Sequence, residues 1–150
     1  MSSGIRSFID RNNRGVQMAQ HDGTLTPAQH EILEVIWDQK SDGATVAEVW
    51  QQISQQRDIA RTTILNQIDR LEKRGWLRRV RKSSGYRYYA TVSREKASQS
   101  LAGSFVDDFF GGSASELVMN LLGAKRLQPE DVERLRSMLD DQAKQRKGRK

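Results

Sequence analysis

Residues 61–87, RTTILNQIDRLEKRGWLRRVRKSSGYR, decide how this chain is read. Ile64, Ile68 and Leu71 recur at i, i+4 and i+7 and share one helical face, while Thr62, Thr63, Asn66, Arg70 and Lys73 lie on the other. Gly75 stands at the C′ position, just after Lys73 and Arg74, so the helix stops there without the Cβ penalty of a left-handed residue. Leu77 and Val80, then Tyr86, Tyr88 and Tyr89, are strand formers separated by Ser83-Ser84-Gly85, a composition that suits a tight hairpin loop. The stretch predicts an amphipathic helix running directly into a two-stranded hairpin.

Its charge points to an anionic partner. Between Arg70 and Arg87 there are eight Lys or Arg residues and one acid, Glu72, a net +7, whereas the whole chain carries +6. A second run, residues 144–150, carries +5, so everything else sums to −6 and the positive charge is concentrated rather than spread. A charge run is ordinarily a solvated face, which suits the C-terminal run better than the helix and hairpin.

Upstream, Thr26-Pro27 is an N-cap followed by proline at the first helical position, where its missing N–H costs nothing. Gln29, Ile32, Leu33 and Ile36 share a face with Leu25, and Ser41-Asp42-Gly43 ends this helix near Gln39. Thr45 and Glu48 have capping-box spacing and open a short helix that presents Val46, Val49, Trp50 and Ile53. Three helices followed by a basic hairpin have the order of a winged helix-turn-helix. In that fold one helix enters the major groove of DNA while the hairpin rests beside it.

Downstream of Val92 the pattern is helical. Ser93 can cap a helix in which Ala97, Leu101, Phe105 and Phe109 form one stripe, stopped by Gly111-Gly112. Ser113 and Glu116 form a second capping box before Leu117, Val118, Leu121 and Leu122. A last helix from Pro129 carries Glu130 and Asp131 in its first turn and presents Val132, Leu135, Met138 and Leu139, with Gln128 a poor N-cap. Three amphipathic helices in so short a segment make too thin a layer to bury their own core, so a second copy is expected to cover them. The expected division is a flexible arm at 1–23, a DNA-binding domain at 24–91, a dimerisation domain at 92–143 and a basic tail at 144–150, in a mainly α protein with a small β wing.

Other chemistries find little support. Two histidines, His21 and His30, and no cysteine give no metal-ligand spacing and no disulfide framework, and no cofactor is implied. There is no Gly-rich phosphate loop, nucleophile elbow or HExxH, and the adjacent pairs Asp107-Asp108 and Asp140-Asp141 point to different sides of a helix, so no enzyme is expected. The absence of an apolar run of membrane length and an N-terminus broken by Arg6, Asp10, Arg11 and Arg14 predict a cytoplasmic protein. The rival reading is an RNA-binding or protein-docking winged helix, with Tyr86, Tyr88 and Tyr89 as stacking surfaces.

From Leu25 to Asp141 the chain resembles the penicillinase-repressor family of bacterial transcription regulators, the BlaI/MecI/CopY group. The resemblance is carried by LTPAQHEILEVIW, TTILNQIDRLEKRGWLRR, YRYYA, FFGGSASELVMNLL and LQPEDVERLRSML, in that order. It implies a repressor that binds a palindromic operator as a homodimer. On this chain the base-reading residues would be Thr62, Thr63, Asn66, Gln67 and Arg70, the amides of Asn66 and Gln67 suiting adenine. Phosphate contacts would come from Arg61, Lys73, Arg78, Arg81, Lys82 and Arg87. Asp69 is tolerable beside DNA only if Lys73, four residues on, neutralises it. The dimer seam would be built from Leu101, Phe105, Phe109, Leu117, Leu121, Leu122, Val132, Leu135 and Leu139. Two branches of the family are set apart from this chain: the copper-responsive branch uses C-terminal cysteines, absent here, and the β-lactam-responsive branch is cleaved before a phenylalanine preceded by asparagine, where this chain has Ser104-Phe105. A sensor protease or another inducer is the remaining partner that the resemblance raises, and the residues do not identify it.

Overall fold

The computed structural model describes residues 23–39 and 42–148. The expected N-terminal arm, up to His21 and Asp22, therefore lies outside the described residues, as do Arg149 and Lys150. The elements are α1 (Pro27–Asp38), α2 (Val46–Ser54), α3 (Arg61–Lys73), β1 (Leu77–Lys82), β2 (Gly85–Ala90), α4 (Arg94–Phe109), α5 (Ala114–Gly123) and α6 (Pro129–Gly148). The fold is mainly α with one small antiparallel sheet, in the order of a winged helix.

The caps form where the sequence places them. The Thr26 Oγ1 accepts from the Gln29 N–H at 3.1 Å while the Gln29 Oε1 accepts from the Thr26 N–H at 3.1 Å, and Thr45 and Glu48 repeat the exchange at 3.1 and 3.0 Å. At the far end of α3 the Trp76 N–H reaches the Leu71 carbonyl at 2.9 Å and the Gly75 N–H reaches Glu72 at 3.1 Å, with Gly75 at φ 87°. This is a Schellman closure, and its apolar half is Leu71 against Trp76, both fully buried. The hairpin pairs Leu77 with Ala90 through Lys82 with Gly85, which leaves Ser83 and Ser84 as a two-residue loop.

The chain divides into two compact units, residues 1–104 and 105–150. The first has one core: Ile32, Leu33 and Ile36 from α1, Val49 and Ile53 from α2, and Ile64, Ile68 and Leu71 from α3 are all buried, with Trp76, Leu77, Tyr88 and Ala97. Ala44 is tied to β2, its N–H donating to the Tyr88 carbonyl at 3.0 Å and its carbonyl accepting from the Tyr88 N–H at 2.8 Å. The division falls inside α4 and not near Val92, because Ala97 is buried in the first core and Leu101 packs against it. Leu101 is thus a correction to the expected dimer seam: the stripe is continuous in sequence, but its first half serves one core and its second half another surface.

In the second unit Val106 is buried, and the Phe105 ring lies 5.0 Å from Phe109 and 5.8 Å from Phe110. Neither α5 nor α6 buries a single residue. Lys125 takes the left-handed position after α5, at φ 58°. The expected tail also needs correcting, since α6 continues through Lys144, Arg146 and Lys147 to Gly148. Ala, Gln, Lys and Arg are good helix formers, and cations at a helix C-terminus meet the negative end of its dipole.

Gly43 supports the wing most directly. Its φ is 65°, and a Cβ there would lie 2.7 Å from the Tyr88 carbonyl oxygen and 2.9 Å from the Tyr89 ring. Gly43→Ala should destabilise the first unit by about 2 kcal/mol or more, from left-handed strain plus overlap, and urea denaturation followed by tryptophan fluorescence would show it.

Candidate nucleic-acid interface

α3 buries Ile64, Ile68 and Leu71 and leaves the opposite face in solvent. Arg61, Thr62, Thr63, Asn66, Asp69, Arg70 and Lys73 are exposed along it. Sequence reasoning missed Leu65, which is 46% exposed on the same face next to Asn66. A leucine left in water there is an apolar contact of the kind a thymine methyl offers; the heptad of α3 marks it, since Leu65 falls outside the Ile64, Ile68, Leu71 stripe. The Asp69 carboxylate pairs with the Lys73 ammonium at 3.1 Å, so the acid on this face has the partner that the spacing provides.

Gln67 differs from its neighbours. It is half-buried, and its Oε1 accepts from the Gln29 Nε2 at 3.0 Å. The Gln29 Oε1 in turn accepts from the Arg74 guanidinium at 2.9 Å, and Arg74 also donates to the Thr24 carbonyl. One lone pair of the Gln67 oxygen is therefore committed to the first core, which holds that amide in place and weakens it as an acceptor for adenine.

The wing divides by face. Arg79 and Arg81 on β1 lie on the side of Tyr86 on β2, and their guanidiniums sit 4.4 and 5.3 Å from its ring centre. Arg79 also meets the Glu72 carboxylate at 3.5 Å, which, followed by Tyr86, raises its pKa above the ordinary arginine value. On the other face Arg78 stacks on Tyr89 at 4.7 Å. The sequence names Tyr86 as a strand former, but not its arginine neighbours, because these are set by cross-strand register, Arg81 opposite Tyr86, and not by spacing along the chain. Among the described residues Arg61, Arg70, Arg78, Arg81 and Lys82 make no ion pair, so their charge faces outward uncompensated.

Arg87 is the exception and departs from its expected role as a phosphate contact. It is half-buried, its Nε donating to the Asp42 carbonyl at 2.9 Å and its Nη2 to the Gly43 carbonyl at 3.2 Å and the Glu48 carboxylate at 3.0 Å. The same Glu48 oxygen closes the cap of α2, so Arg87 ties the wing to that helix.

A model of the penicillinase repressor family matches residues 25–141, most of the chain. The chain belongs to the penicillinase repressor family. Penicillinase repressor family relatives include the penicillinase repressor of Staphylococcus aureus, 26% identical over 127 residues that span 85% of this chain and 99% of the relative. The methicillin resistance regulatory protein MecI of Mammaliicoccus sciuri is 27% identical across 77% of this chain and 93% of its own. Among solved structures, Bacillus licheniformis BlaI in complex with the blaP half-operator superposes with a TM-score of 0.42 at 24% identity, over 48% of this chain and 85% of that one. The MepR–DNA complex of S. aureus gives 0.43 at 16% identity, over 96% and 89%.

If Arg87 is a clamp, Arg87→Ala should lower stability by about 1–3 kcal/mol, the cost of leaving its acceptors unpaired, and should barely change the salt dependence of DNA binding. Urea denaturation and a salt titration on the same preparations separate the two roles.

Proposed function

We infer that this member of the penicillinase repressor family is a transcriptional repressor, not an enzyme, and that it binds a palindromic operator as a homodimer. The observation that carries the reading is the exposed polar face of α3 beside a wing on which Arg78, Arg81 and Lys82 are exposed and make no ion pair among the described residues. Thr62, Thr63, Leu65, Asn66 and Arg70 face the base edges, with Gln67 beside them through the end of its amide that Gln29 leaves free. Arg61, Arg78, Arg81 and Lys82, with Arg79, take phosphates, which position the protein without specifying sequence. Lys73 contributes less than a free cation because Asp69 holds it.

The RNA reading loses support from the tyrosines. Tyr88 is buried, and Tyr86 and Tyr89 already carry guanidiniums on their rings, so no bare aromatic platform is presented for bases to stack on. Dimerisation is supported by the second unit. Phe109, Met119, Met138 and Leu139 are all at least 60% exposed, and Val118, Leu122, Val132, Leu135 and Leu139 line an apolar groove between α5 and α6. Leu117, Val132 and Leu135 are half-buried, while Phe105, Leu121 and Leu122 are exposed on the same unit. A second copy is the partner that covers such a face and also doubles the reading surface to match a two-fold operator. A cytoplasmic location follows from that role, and among the described residues no helix is long and apolar enough to cross a membrane.

A gel shift with the protein's own promoter region, competed by unrelated duplex and by RNA, tests the function; equal competition by all three would remove it. Within that assay Arg70→Ala should lower operator affinity and relax sequence preference at one position per half-site, by about 1–3 kcal/mol. Arg81→Ala should weaken all duplexes alike and reduce the salt slope by about one. Phe109 is 71% exposed, so its replacement costs a lone subunit little. Phe109→Asp should therefore yield a folded monomer in sedimentation velocity that binds the operator about a hundredfold more weakly.

A further inference from the structure

On the operator-binding reading just given, we propose that Gln29 is a positioning residue that fixes the orientation of the Gln67 amide, so that its oxygen is drawn to Gln29 and its NH2 is the end offered to the duplex. A chain of groups with fixed donor and acceptor roles sets this orientation. Gln29 is 6% exposed, and its Oε1 lies 3.1 Å from the Thr26 N–H and 2.9 Å from an Arg74 Nη. Both neighbours can only donate, so the atom between them must be the amide oxygen. The other atom of the same amide is then the NH2 group, and it points at Gln67, 3.0 Å away. Gln67 must answer with its oxygen. The Gln67 oxygen is thus directed at Gln29 with one of its two lone pairs used, and the end of the amide left wholly free for a partner is the NH2, which has two hydrogens to give.

The polarity of a residue on the reading helix is thus set by Arg74, two hydrogen bonds behind it. A free glutamine pairs with adenine by donating to N7 and accepting from N6. Gln67 held by Gln29 has one lone pair of its oxygen engaged and that oxygen turned toward Gln29, so it is weakened as an acceptor, and its NH2 favours positions that present acceptors to the major groove, guanine N7 and O6 above all, over the N4 donor of cytosine. Arg74 is fixed from its other side by the Thr24 carbonyl, so the segment entering α1 braces the whole relay.

Gln29→Glu inverts the relay without emptying the space. The substituted carboxylate still accepts from Thr26 and Arg74, but its second oxygen also accepts, so the Gln67 amide must turn over and expose its oxygen. Two measurements test this on the full-length protein. In the free protein, NMR should show a coupling across the hydrogen bond from the Gln29 side-chain nitrogen to the Gln67 side-chain carbonyl carbon, and slow exchange of one Gln29 amide proton. Absence of both overturns the relay whether or not DNA is ever bound.

Selection from random duplex with wild type, Gln29→Glu, Gln67→Ala and the double variant then tests the consequence. Gln29→Glu should move preference at one position per half-site from a base presenting acceptors to one presenting a donor, by about tenfold. The change should vanish in the Gln67→Ala background. A preference unchanged by Gln29→Glu, a uniform loss over all sequences, a shift that persists without the Gln67 amide, or a Gln67→Ala profile identical to wild type would each overturn the proposal. Failure of the wild type to select any sequence would instead sink the operator-binding reading, with the NMR result still deciding the relay.

Discussion

A recognition helix and a wing act together only if the chain reverses between them in a fixed way, and that reversal rests on the two residues after α3. Gly75 supplies a left-handed turn at φ 87°, and Trp76 is fully buried against the end of the helix it closes. The return strand secures the same corner: the Thr91 hydroxyl donates to the Gly75 carbonyl at 2.7 Å and the Thr91 N–H to the Trp76 carbonyl at 3.0 Å. The separation between the exposed face of α3 and the arginines of β1 is therefore set by core packing rather than by a flexible loop. A large aromatic at this corner contributes several times what one hydrogen bond does, so packing dominates the junction.

Much of this was legible in the residues. Faces at helical spacing, two capping boxes, Gly75 and a two-residue hairpin loop follow from local rules, and the structure follows them. Contacts between residues far apart in sequence were harder to foresee. Gln67 was placed on the reading face because its type and helical position suit it, yet its partner Gln29 is 38 residues away. Arg87 looked like any wing cation until Asp42, Gly43 and Glu48 surrounded it. Trp76 belonged to neither the helical nor the strand period, so no pattern marked it as core. The stripe along α4 kept its spacing while the surface it faced changed at Ser104, a change that periodicity does not carry. The basic end of α6 was taken for a tail on charge alone, although its residues favour helix.

The two arginine clusters of the wing follow different logic. Arg87 is held by acceptors on the α2 side and serves the fold. Arg78, Arg79 and Arg81 rest on tyrosine rings, with their guanidiniums 4.7, 4.4 and 5.3 Å from the ring centres. Side chains held in this way lose less freedom when they meet a phosphate than unsupported lysines would. The stacking favours arginine over lysine, because an ammonium lacks the plane that lies on the ring.

Asp69 sits within a surface otherwise suited to anions, held by Lys73 at 3.1 Å in full solvent. An exposed ion pair of this kind is weak and offers little shielding once the helix approaches a phosphate backbone. The carboxylate then repels every duplex on which the helix is not seated so as to keep it clear of phosphate. A surface built in this way gives up some attraction for every duplex in return for a sharper difference between one seating and another.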